Sequence, residues 1–138
     1  MSAHLSVIVT PEMTVRFDEL GPVHPVYATY SLAKHMEEVS RKLLLSCLED
    51  GEEGIGHLVE TRHVSSALVG MRVTVSSSYD PQRSDGRRVA ARCEARSELG
   101  DVIGYGRTEQ FVLSREDIEA RFAALEARWR TPHEVSRG

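Results

Sequence analysis

The stretch from Gly21 to Glu49, GPVHPVYATYSLAKHMEEVSRKLLLSCLE, constrains the fold more than any other part of the chain. It opens with prolines, passes a threonine at a turn, and continues as one amphipathic helix that starts near Thr29 or Tyr30. With Leu32 placed at zero and a step of about 100° per residue, Leu32, Ala33, Met36, Val39, Leu43, Leu44, Cys47 and Leu48 fall in one arc of roughly half a turn. Lys34, His35, Glu38, Arg41, Lys42 and Glu49 fall in the other. A single helix with so wide an apolar arc needs a sheet to cover it.

Glu37 breaks the pattern. It lands between Leu44 and Leu48, the one charged side chain well inside the apolar arc. A carboxylate on a buried face costs free energy unless paired or neutralised. Burial also raises its pKa, which suits proton transfer or nucleophilic attack near neutrality. The competing reading is a helix edge, with Glu37 reaching solvent or pairing with Arg41 at i+4.

The flanking sequence supplies the sheet. Residues 4–10 and Thr14 to Phe17 read as short strands, and Gly21-Pro22 and Pro25 impose an extended, turn-rich passage. Thr29 is placed to cap the helix, and Gly51 to close it. Ile55 to Val64 reads as a strand with poor alternation: His57, Val59, Thr61 and His63 share one face. The next two strands alternate cleanly, with Met71, Val73, Val75 and Tyr79 on one face, and Val89, Ala91, Cys93 and Ala95 on the next strand's. Residues 102–113 form the last strand, where Gly104 and Gly106 mark a bulge or a close backbone approach. Ser114 then caps a C-terminal helix with Asp117 in the reciprocal position, and Ile118, Phe122, Leu125 and Trp129 make its apolar stripe. The tail from Thr131 is expected to fray.

The expected architecture is α+β: a curved antiparallel sheet around one long central helix, plus a C-terminal helix, in one domain spanning 1–138. That is the layout of a hot-dog fold, with a cystatin-like or cone-shaped α+β fold as the runner-up. The net charge of −4 and the pI near 5.9 argue against nucleic acid as a partner. Arg83, Arg87 and Arg88 flank a loop and Arg92 and Arg96 share a strand face, which reads as a solvated surface or as a site for a phosphorylated ligand. Cys47 and Cys93 read as small buried hydrophobes in a reducing compartment. No ligand spacing predicts a metal, no cofactor is implied, and neither a signal peptide nor a membrane span is expected. These features together predict a cytoplasmic protein.

Three segments resemble the fluoroacetyl-CoA thioesterase family of hot-dog enzymes. PVYATYSLAKHME resembles its P-x-V-(aromatic)-A-T segment followed by a helix bearing M-E. GIGHLVETRHVSSALVGMRVTV is similar to its Gly-to-His strand and the V-x-V strand beyond. VIGYGRTEQFVL resembles its last strand. The likeness covers roughly residues 5–125. It implies hydrolysis of an acyl-CoA or acyl-carrier-protein thioester, with Thr29, Glu37 and His63 as the catalytic trio and Gly56 near the thioester. It also implies a homodimer with its sites at the subunit interface. Val23, Tyr27, Met36 and Leu68 would line a pocket for a small or medium apolar acyl group. The family's fluoroacetyl-specific enzyme carries aromatic residues at its pocket mouth; Leu20 to Pro25 has none here, so fluoroacetyl-CoA is not the expected substrate. A non-catalytic acyl-binding or regulatory module on the same scaffold, and a dehydratase, are the alternatives. The dehydratase would need an Asp near the helix, and Asp18 is the only one between Phe17 and Leu48.

Overall fold

The structure is a computed structural model that describes residues 1–131. The chain runs β1 (Ser2–Ile8), a short 3-10 turn (Pro11–Met13), β2 (Thr14–Phe17), β3 (Gly21–Tyr27), α1 (Thr29–Leu45), β4 (Glu52–His63), β5 (Arg72–Tyr79), β6 (Arg88–Ser97), β7 (Val102–Ser114) and α2 (Arg115–Arg130). Five strands form one antiparallel sheet in the order β1-β5-β6-β7-β4, and β2 pairs with β3 in a separate ribbon. This is the hot-dog layout.

Helix α1 lies against one face of the sheet. Leu32, Met36, Val39 and Leu43 are buried against Val73 and Val75 of β5, Ala91, Cys93 and Ala95 of β6, and Ile103 of β7, and Leu44 is buried beside Gly54 of β4. Each large apolar side chain so buried contributes about 1.5–3 kcal/mol. A polar knot sits inside this core. The Ser40 hydroxyl lies 2.7 Å from Thr108 Oγ1, 3.1 Å from Ser77 Oγ and 3.3 Å from Cys93 Sγ, and Gln110 Nε2 donates to the Ser40 carbonyl at 3.1 Å. Buried polar groups that satisfy one another hold a helix in one rotation about its axis.

Several boundaries differ from the expectation. The prolines of β3 do not keep it out of a strand, because a two-stranded ribbon tolerates missing N–H donors at its edges. Helix α1 ends at Leu45, so Cys47 and Leu48 lie beyond it and are only half-buried. Gly51, with φ near +80°, serves the turn into β4 instead of the helix end. His35 is the largest departure: expected on the wet arc, it is buried, because the segment leading into α1 covers that side of the helix.

In β4 a bulge between Gly56 and Leu58 leaves His57 without a partner in β7. Gly54 and Gly56 therefore face α1 before the bulge, and Val59, Thr61 and His63 face it after. His57 turns to the outer face and packs against Phe111, ring centroids 4.7 Å apart. The poor alternation in the sequence is this bulge. Gly104 and Gly106 mark close approaches, as expected: a side chain there would collide with the β4 backbone carbonyls of Arg62 and Glu60.

At the end of β7, Ser114 accepts a hydrogen bond from the Asp117 N–H at 3.0 Å and caps α2. Of the apolar stripe on α2, Ile118 is buried; Phe122, Leu125 and Trp129 are exposed. The expected tail lies outside the described residues beyond Thr131. Among the described residues, no helix is long and apolar enough to cross a membrane.

Candidate active site

Thr29 is the first residue of α1, and Ala28, not Thr29, occupies the N-cap position. The Thr29 hydroxyl goes elsewhere: Oγ1 lies 2.9 Å from Nδ1 of His63, the last residue of β4. The bond crosses from the helix start to the end of the edge strand. His63 Nε2 is buried and makes no hydrogen bond among the described residues. Burial holds the His63 pKa below the ordinary histidine value, with the Ser65 backbone pulling weakly the other way. A neutral imidazole with one nitrogen held and the other open can accept or deliver a proton near neutrality.

Glu37 stands two turns further along α1. Its side chain is exposed in the single chain, which corrects the expectation of a buried carboxylate. It lies across the β4 backbone at Gly56: a Cβ at that position would stand 3.1 Å from Glu37 Oε2. Gly56 thus leaves the strand bare where the carboxylate rests. Arg41, the i+4 partner the sequence offered, turns away and pairs with Glu53 at 2.7 Å and with the Gly54 carbonyl at 3.2 Å.

The candidate residues therefore fall into two separate pairs. Thr29 and His63 form one, Glu37 and Gly56 the other. Eight residues of helix separate Thr29 from Glu37, about 12 Å along the axis. Of the residues expected to line an acyl pocket, Tyr27 and Met36 are fully buried behind these groups, with Met36 Sδ 3.7 Å from Thr61 Oγ1. Val23 on β3 and Leu68, which bridges to Val26, are exposed.

Two sets of contacts in this region were not foreseen from the sequence. The Tyr27 hydroxyl lies 2.6 Å from His35 Nδ1 inside the core. Tyr30 clamps the β2–β3 ribbon to the helix start: its hydroxyl lies 2.6 Å from the Thr14 carbonyl, 2.8 Å from the Arg16 carbonyl and 3.1 Å from the Arg16 N–H. Its ring packs on Phe17 of β2 at 5.8 Å, an aromatic pair close to residues 20–25, which have none. Three arginines of β6 are engaged by neighbouring acids, Arg88 with Asp85, Arg92 with Asp80 and Arg96 with Glu94.

Comparison with known proteins places the chain in a family and a fold. The family model for FlK, the fluoroacetyl-CoA-specific thioesterase, matches residues 9–116. No curated protein matches the sequence. Among solved structures, a Thermus thermophilus hypothetical protein described as a thioesterase superfamily member is 57% identical, with 94% of this chain and 93% of that chain covered and a TM-score of 0.90. The fluoroacetyl-CoA thioesterase FlK is 27% identical over 96% of each chain, with a TM-score of 0.78. A hot-dog-like protein from Thermanaerovibrio acidaminovorans shares the fold at 23% identity, covering 90% and 89% of the two chains with a TM-score of 0.78. Variants of FlK have been solved with fluoroacetate and CoA, and with acetyl-CoA.

Proposed function

We propose, for a chain that belongs to the fluoroacetyl-CoA-specific thioesterase family and is an acyl-CoA thioesterase, that Thr29, Glu37 and His63 carry the hydrolysis. The observation that carries this reading is the Thr29–His63 hydrogen bond, which holds an imidazole with a free second nitrogen beside the helix start. Hydrolysis needs a nucleophile or activated water, a proton carrier, and donors for the developing oxyanion. Glu37 supplies the carboxylate, either attacking the thioester carbonyl or taking the proton of the attacking water. His63, neutral at rest, takes up a proton from the attacking water, directly or by way of Glu37, and delivers it to the departing CoA sulfur. Thr29 holds His63 in place, and N–H groups of the first turn of α1 face the developing negative charge.

The two separate pairs point to a homodimer. Strand β4 is a twelve-residue edge, and its outer backbone groups need a partner. Antiparallel pairing of β4 with a second copy, centred near Val59 and Glu60, sets Gly56 of one protomer opposite His63 of the other. Glu37 and Gly56 of one chain then meet Thr29 and His63 of its partner, an isologous arrangement with two equal sites. Val23 and Leu68 are apolar groups available to the acyl chain, and Tyr27 and Met36 form the wall behind; such a lining suits a small or medium apolar acyl group on coenzyme A or an acyl carrier protein. The two free cysteines fit a reducing compartment such as the cytoplasm. Release of free thiol from acyl-CoAs, measured for wild type beside Glu37→Gln, tests the assignment.

A further inference from the structure

The hydrolytic scheme leaves one pair of buried titratable groups unused. Tyr27 is fully buried and His35 nearly so, and each carries a polar group that an apolar side chain would spare the core. Their contact is short, 2.6 Å from Tyr27 Oη to His35 Nδ1, and their rings lie in nearly parallel planes, 4° apart. Burial pushes the Tyr27 phenol far above its ordinary pKa, so it remains protonated and donates. His35 Nδ1 therefore accepts, and His35 is neutral with its proton on Nε2. Tyr27 also meets His63. The two rings stand edge to face, 81° between planes and 6.3 Å between centroids. His63 is thus held at Nδ1 by Thr29 and across its ring by Tyr27, while Tyr27 is anchored by His35.

We propose that Tyr27 and His35 are positioning residues for His63: the bond between them fixes the Tyr27 ring, and that ring fixes the plane of the His63 imidazole. The role rests on the reading of His63 as the proton carrier. It explains why the segment before α1 and the buried side of α1 share a polar bond where two hydrocarbon side chains would pack. A misaligned imidazole slows proton transfer and leaves substrate binding in place.

The test compares Tyr27→Phe, His35→Leu and His35→Asn with wild type in three readouts: kcat and KM on acyl-CoA, the ring nitrogen resonances of His63, and Tm. Tyr27→Phe and His35→Leu are expected to lower kcat about tenfold with KM within about twofold, and to shift the His63 resonances. His35→Asn places an amide oxygen where Nδ1 accepted, and is expected to recover most of kcat. A fall in Tm with kcat and the His63 resonances unchanged would overturn the proposal, reducing the pair to core packing. A wild type that turns over no thioester, but whose His63 resonances move in Tyr27→Phe, would sustain the positioning and remove the hydrolytic role from His63.

Discussion

Thr29 Oγ1 and His63 Nδ1 lie 2.9 Å apart, joining the first residue of α1 to the last residue of β4. The contact spends the one side chain that could have capped the helix. Ala28 takes the N-cap position without a side-chain bond. Thr29 is turned to the histidine and not to the helix end.

Thr29→Ala separates the two roles. Loss of an N-cap costs about 1 kcal/mol. Here the hydroxyl caps nothing, and alanine is the better helix former, so stability should change by less than about 0.5 kcal/mol. Turnover should fall about a hundredfold as His63 loses its hold. Denaturant midpoints and steady-state kinetics on the same protein preparations check both; a destabilised but active variant would return Thr29 to the capping role.

The glycines opposite the helix give a second contrast. At Gly106 an added Cβ falls on the Glu60 carbonyl, and the β4 and β7 backbones would have to part. Gly106→Ala should cost roughly 1–3 kcal/mol, read from urea midpoints. At Gly56 the added Cβ meets only the end of the Glu37 side chain, at 3.1 Å. Gly56→Ala should therefore leave stability within about 0.5 kcal/mol of wild type. It should lower turnover by about tenfold through the displaced carboxylate.

Much of this was legible in the sequence, and the failures have physical causes. The apolar arc of α1 and the two-residue period of β5 and β6 predicted the helix-on-sheet layout, and Glu37 stood out as the charge that broke the arc. What a helical wheel cannot see is a covering segment outside the helix, which is why His35 was assigned to solvent while Tyr27 buries it. Nor does alternation survive a bulge: the extra residue at His57 reverses the strand's faces, so His57 was grouped with His63 although it packs outward on Phe111. A single sequence also gives no sign that Glu37, at the middle of α1, stands apart from Thr29 and His63 at its start.

The pH dependence follows from the buried histidines. Burial lowers the pKa of His35 from its ordinary 6.5, with Glu38 raising it and Lys34 lowering it more weakly; burial lowers that of His63 likewise. Each binds its proton less readily folded than unfolded. Below about pH 6.5 the unfolded chain thus takes up more protons, and stability falls as pH falls toward the lower folded values. Above that range these two groups contribute no slope. Urea midpoints measured from about pH 8 to about pH 5 should show the decline, and His35→Leu should flatten it. A stability that rises on acidification through this window would contradict the buried neutral state.

Division of the site between protomers is open to a mixing experiment. Glu37→Gln and His63→Ala should each be inactive alone. In a site shared across the dimer, a mixed dimer holds one site with both groups intact, and re-equilibrated equal mixtures should regain about one quarter of wild-type activity. A site confined to one chain would leave the mixture inactive. Light scattering at micromolar concentration should show the dimer itself, and a monomer would count against β4 pairing.

Whether Glu37 performs thioester hydrolysis is read from steady-state release of free thiol from a panel of acyl-CoAs, short to long and aryl, by wild type and Glu37→Gln. Wild type should turn over thioesters, best with a small or medium apolar acyl group, and a folded Glu37→Gln protein should turn over none. Equal turnover by the two proteins would contradict that role for Glu37.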